Sequence, residues 1–167
     1  MPNTLTRAEN FDGRILGYTD IGLNEANTSY NLTTSYVVPT DEFSVSFVAP
    51  PSGNVCIDIQ IQSYAGSSGL GDLFAGLSSA NATTGYAQLE DEHEKRITDA
   101  AGRFGLNTDH VSWTLTGLTA GTSYEYWVGF KSTSTSGTPS ISWGGSATGR
   151  YPDFIMKATA LPATILT

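Results

Sequence analysis

Residues 43–62 read FSVSFVAPPSGNVCIDIQIQ, two runs of strict alternation separated by a turn. In Phe43-Ser44-Val45-Ser46-Phe47 apolar and hydroxyl side chains take turns, and Val55, Ile57, Ile59 and Ile61 alternate with Cys56, Asp58, Gln60 and Gln62. Successive side chains of a strand point to opposite faces, so a period of two means strands with one dry and one wet face. Between them, Ala49-Pro50-Pro51-Ser52-Gly53-Asn54 is a turn by composition, since proline fixes φ and glycine supplies a positive φ. Two strands joined so closely are expected to pair as an antiparallel hairpin.

The same alternation spreads outward through the second half. Trp113 and Leu115 stand among Ser112, Thr114 and Thr116, and Tyr124, Tyr126, Val128 and Phe130 repeat the spacing after a Gly117–Gly121 connection. Ile141 and Trp143 alternate with Ser140, Ser142 and Gly144, and Phe154 to Leu161 closes the series before Pro162 interrupts any further ladder. Short strands punctuated every 8–12 residues or so by Gly, Ser and Pro predict an all-β fold, an antiparallel β-sandwich or barrel. Residues 86–103, YAQLEDEHEKRITDAAGR, are ambiguous. Tyr86, Leu89, His93, Ile97 and Ala100 have helical spacing, and Asp91–Lys95 and Glu92–Arg96 would pair across a helical turn, while an irregular edge strand is the alternative. Residues 1–34 show no sustained period. They read as an extended N-terminal arm before a 35–167 sandwich domain, or as a strand and a terminus belonging to the same sandwich.

Composition narrows the function. The chain has 167 residues, a net charge of −8 and only 14 % charged residues, enough for one sizeable core and too few for two. An acidic balance with pI near 4.5 argues against nucleic acid or an anionic membrane as partner. No apolar run approaches 18 residues, so no membrane span is expected, and MPNTLTRAENFDGR lacks the apolar stretch of a signal peptide. The single cysteine, Cys56, is expected to be a small apolar strand residue.

No catalytic or cofactor constellation emerges from the spacing. His93 and His110 lack the paired His or Cys of a zinc site, Glu90-Asp91-Glu92-His93-Glu94 lacks the glycine and alternating acids of a calcium loop, and no G-x-S-x-G elbow is present. The expectation is therefore a protein that is not an enzyme, with no metal and no cofactor. Trp127 falls on the face opposite Tyr126 and Val128, which makes it an exposed ligand aromatic or one buried against another chain.

Two resemblances follow from the motifs. Leu115-Thr116-Gly117-Leu118-Thr119-Ala120-Gly121-Thr122-Ser123-Tyr124 resembles the tyrosine corner of fibronectin type III domains. Over most of the chain, the order LTTS (32–35), FSVSFVAPPSGNV, GDLFAGLS, GLTAGTSYEYWVG, SISWGG and YPDFIMKATALP is similar to a β-sandwich module of tailed-phage virion proteins, found at fibre ends and in head-attached proteins. That resemblance implies a jelly-roll-like sandwich acting through assembly or adhesion, and a strand around His93-Glu94. With no fibre shaft before the module, it implies a head decoration, cement or head-fibre protein on the outer surface of the phage head. The alternative is a receptor- or glycan-binding tip of a tail fibre, with a host surface glycan as partner. On the first reading the partners are the major capsid protein and further copies of the chain, a homotrimer being favoured. Phe11, Ile15 and Leu16 are then the arm's apolar anchors, with Arg7 and Arg14 pairing with capsid carboxylates.

Overall fold

A computed structural model describes residues 13–22, 28–65, 71–90, 93–98, 105–145 and 151–164. Their elements are the strands β1 (Ile15–Ile21), β2 (Thr28–Asn31), β3 (Ser44–Val48), β4 (Val55–Ala65), β5 (Leu73–Ser78), β6 (Glu94–Thr98), β7 (Gly105–Leu115), β8 (Ser123–Ser132), β9 (Ser140–Trp143) and β10 (Phe154–Ala160). All pair antiparallel in two sheets, one of six strands and one of four in the order β3-β8-β5-β6.

The six-stranded sheet has only four rows. β4 is long enough to pair with β10 over Val55–Gln60 and with β9 over Gln62–Tyr64, while β7 runs along its whole opposite side. β1 pairs with β10 and β2 with β9, so β1 and β2 lie end to end, as do β10 and β9. At the interruption, Gly145 N–H donates to Gly22 C=O at 2.8 Å and carries the ladder across the break. The rows thus read β7, β4, β9/β10, β2/β1, facing β3-β8-β5-β6. With the chain passing repeatedly between the two sheets, this is the winding of an eight-row jelly roll.

The dry faces of both sheets meet in one core. Val45 and Phe47 from β3, Ile57, Ile59 and Ile61 from β4, Val128 and Phe130 from β8, and Phe154 and Met156 from β10 are all buried. Phe43 lies at its centre, stacked on Phe154 at 4.0 Å and meeting Trp143 edge-on at 4.7 Å and Phe130 at 6.2 Å.

Several expectations change. The Phe43–Gln62 stretch is not a hairpin: β3 pairs with β8, β4 pairs with β7 and β10, and the Pro-Pro-Ser-Gly turn carries the chain from one sheet to the other. Both strands bury their apolar faces in the same core, and period two reports the face, not the sheet. Within the 86–103 segment the strand covers Glu94–Thr98 and the described residues show no α-helix there. Glu94–Thr98 pairs with β5, and Gln88 bridges Ser78. The arm boundary at residue 34 also falls inside the sheet, because β1 and β2 belong to it; residues 1–12 lie outside the described residues. β1 escaped the periodicity because its register shifts between Ile15 and Gly17, which breaks alternation on an edge strand.

Candidate docking site

The turn that switches sheets also builds one end of the molecule. Ala49 N–H donates to Thr122 C=O and Gly121 N–H to Ala49 C=O, both at 2.9 Å, and Leu118 N–H reaches Gly53 C=O at 3.0 Å. Gly53 has φ +68°, and a Cβ there would stand 2.6 Å from Leu118 O, so glycine is required for the two loops to meet. The Tyr124 hydroxyl accepts from Thr119 N–H at 3.0 Å, which is the tyrosine corner expected from the sequence. These bonds hold the 49–53 and 118–122 loops as one rigid rim.

Against that rim the chain enters the sheet. Gly13 N–H donates to Ala160 C=O and Ala160 N–H to Arg14 C=O, each at 2.9 Å, so the start of β1 is fixed to the end of β10. Arg14, Ile15 and Leu16 then line a groove of about 600 Å³ with Val48, Ala49, Pro50, Pro51, Ala120 and Gly121. Ile15 is 59 % exposed and Val48 53 %, while Leu16 is half-buried and packs on the core. A second hollow of about 480 Å³ continues from it along β3 and β8, sharing Leu16 and Val48 and reaching Tyr124 and Glu125. Among the described residues the first groove is lined mainly by aliphatic and prolyl side chains, and the second adds Ser46, Ser123, Tyr124 and Glu125.

The structure therefore places two of the expected apolar anchors, Ile15 and Leu16, on strand β1 at this groove, with Arg14, expected as a carboxylate partner, directly before them. Arg7 and Phe11 lie outside the described residues. Val48, Pro50 and Pro51 were missed, although the sequence held a signal: Val48 is an apolar residue on the wet face, directly before Ala-Pro-Pro.

Trp127 lies elsewhere, on the outer face of the four-stranded sheet, half-buried, with its indole N–H donating to Asp41 C=O at 3.2 Å. That face is covered by its own aromatics. Gly76 and Gly129 face each other across β5 and β8, and a Cβ on either would stand 2.4 Å from Tyr86 atoms, so the pair forms a pit for the Tyr86 ring. Tyr36 stacks on Tyr86 at 4.4 Å, Lys131 Nζ lies 4.6 Å from the Tyr36 ring centre, and Lys131 pairs with Glu94 at 2.8 Å. The Lys131 hydrogen bond holds the Glu94 carboxyl below its ordinary pKa against the opposing effect of burial, and Tyr36 adds to the lowering. Burial first, then Glu94, pushes the Tyr36 phenol well above its usual value.

His93 is buried, and its carbonyl accepts from Trp113 Nε1 at 2.7 Å. Among the described residues no group of three His, Cys, Asp or Glu side chains is placed to hold a metal ion. Burial and the neighbouring Asp58 raise the Cys56 thiol to about 11, so it is protonated at neutral pH.

No family model and no curated protein matches the chain. Among solved structures it is similar to the VP2 subviral particle of infectious bursal disease virus, at 11 % identity and a TM-score of 0.29, over 89 % of this chain and 38 % of that one.

Proposed function

We propose that this chain is a non-enzymatic structural protein of a bacteriophage virion, a capsid decoration or head-fibre protein docked on the outside of the head through the Ile15–Val48 end of its sandwich. The observation that carries the reading is the groove there: exposed aliphatic side chains around a rim held rigid by backbone hydrogen bonds. Exposed apolar surface gathered at one place marks an interaction site. Support also comes from the ordered resemblance to phage virion modules and from the jelly roll, a fold that serves viral capsids and lectins alike. Fold alone assigns no function, so the weight rests on the groove.

In this mechanism an apolar side chain of the major capsid protein enters between Ile15, Val48 and Pro51. Burying one aliphatic side chain contributes on the order of 1.5–3 kcal/mol. Arg7 and Phe11, which lie outside the described residues, are proposed to add contacts to the same capsid subunit or its neighbour. Three-fold positions of a capsid lattice make a homotrimer the favoured association. Purified particles lacking this protein, incubated with the wild-type chain, should recover full occupancy. Ile15→Asp and Val48→Asp should each lower retention by about tenfold or more, equal to about 1.4 kcal/mol. Unchanged occupancy for both variants would overturn the docking end, and a separate deletion of residues 1–12 measures the arm's own share.

A further inference from the structure

The geometry points to a second site, for a neutral saccharide, on the outer face of the six-stranded sheet at the end away from the docking groove. The site is independent of the capsid reading and built by cross-strand register. Leu106, Tyr64, Ser140 and Asn31 form one row across β7, β4, β9 and β2, and Thr108, Gln62, Ser142 and Ser29 form the next. Over these rows lies a groove of about 320 Å³, lined by Tyr64, Leu106 and Tyr151 together with Ser29, Asn31, Thr138, Ser140 and Ser142.

Its chemistry is selective. A neutral sugar ring presents an apolar C–H face and a rim of hydroxyls that both donate and accept. The tyrosine rings and Leu106, 54 % exposed, supply surface for the first. Ser29, Asn31 and Thr138, all exposed, supply both hydrogen-bond roles for the second, with Ser140 and Ser142 buried beneath them. Ser29 Oγ and Ser142 Oγ lie 2.7 Å apart, and either can donate to the other. Gln62, in the same row, keeps a buried amide oxygen with no hydrogen-bond partner. Among the described residues no lysine or arginine lines the groove, and the chain carries a net charge of −8, so sialylated or sulfated sugars are disfavoured.

One backbone feature singles out this place. Thr138 has φ +51°, the one described non-glycine residue in the left-handed region, and it is β-branched. Its N–H reaches Thr135 C=O at 3.3 Å, and the buried Pro139 that follows accepts from Leu32 N–H at 2.8 Å. The surroundings thus hold Thr138 over the groove in a conformation its own preference opposes, a pattern that gathers at binding sites.

The test uses the full chain and neutral oligosaccharides of malto-, cello- and chito- type, with sialyllactose and a heparin fragment as charged probes, read by calorimetry and saturation-transfer NMR. At least one neutral series should bind with Kd of about 1 mM or tighter, and Tyr151→Ala and Asn31→Ala should each weaken it about tenfold. Both positions lie outside the core, and unchanged thermal melting of the variants confirms that the fold is intact. Trp127→Ala should leave the affinity unchanged. Absence of neutral binding at about 10 mM, preference for the charged probes, or a loss on Trp127→Ala without one on Tyr151→Ala would each overturn the site.

Discussion

Glu94 sits between Lys131, which donates to it at 2.8 Å, and the half-buried Tyr36 ring, and its carboxyl titrates below the ordinary 4.5. A carboxylate with a depressed folded-state pKa contributes stability that is fully present above its unfolded value and is lost as pH falls through the folded one. Glu94→Gln should therefore lower stability by about 1 kcal/mol at pH 7, since the pair is partly exposed. The gap between variant and wild type should narrow as pH drops below 4.5 and close beneath the depressed value. Urea midpoints measured across that range check it, and a gap independent of pH would show that the lost contact is packing alone. None of this was legible in EDEHEKR, whose charges suggest a solvated face. Glu94 acquires its partners from β8 and from the 36–37 region, far away in sequence, through the β5–β6 and β5–β8 ladders.

At the scale of elements, alternation disclosed strands with regular dry faces, the edge strands β3 and β7 among them, and concealed β1 and β2. β4, β7 and β8 carry regular burial and announced themselves. β1 is half-exposed, bulged at its start and pressed against β3, where Thr19 Oγ1 donates to Ser44 C=O at 2.5 Å. Gly17 makes that approach possible: a Cβ there would stand 2.3 Å from Ser46 O and 2.9 Å from a Val45 methyl. Here the required property is closeness, since Gly17 has no positive φ. Gly17→Ala should push β1 off β3, cost about 1–3 kcal/mol as overpacking does, and loosen the groove floor at Leu16. Hydrogen exchange should rise at the β1 amides first, and a variant with wild-type melting and exchange would show that the two edges part easily. The same closeness explains why β1 read as part of a 1–34 arm: glycine spacing set by a neighbouring strand has no period of its own.

For the whole molecule, β4 acts as the ruler. Its first residue, Val55, follows the rim of the docking groove, and Tyr64 stands in the saccharide groove nine positions later. At about 3.3 Å per residue the two sites are roughly 30 Å apart. Neither groove was visible as a unit in the sequence, because each is assembled from segments that only the jelly-roll winding makes adjacent: 14–16 with 48–51 and 120–121, and 29–31 with 64, 106, 138–142 and 151. The separation has a functional consequence. A copy held to a capsid by its Ile15 end keeps the Tyr64 end directed away from the contact, so docking and saccharide binding should not compete. Ile15→Asp should lower particle retention about tenfold or more while leaving oligosaccharide affinity within about twofold, and Tyr151→Ala should weaken the sugar about tenfold while leaving retention within about twofold; distant sites of this kind behave additively. Retention of the chain on particles can be measured with and without a saturating neutral oligosaccharide. Equal occupancy is expected, and displacement by the sugar would mean that both activities share one end of the sandwich.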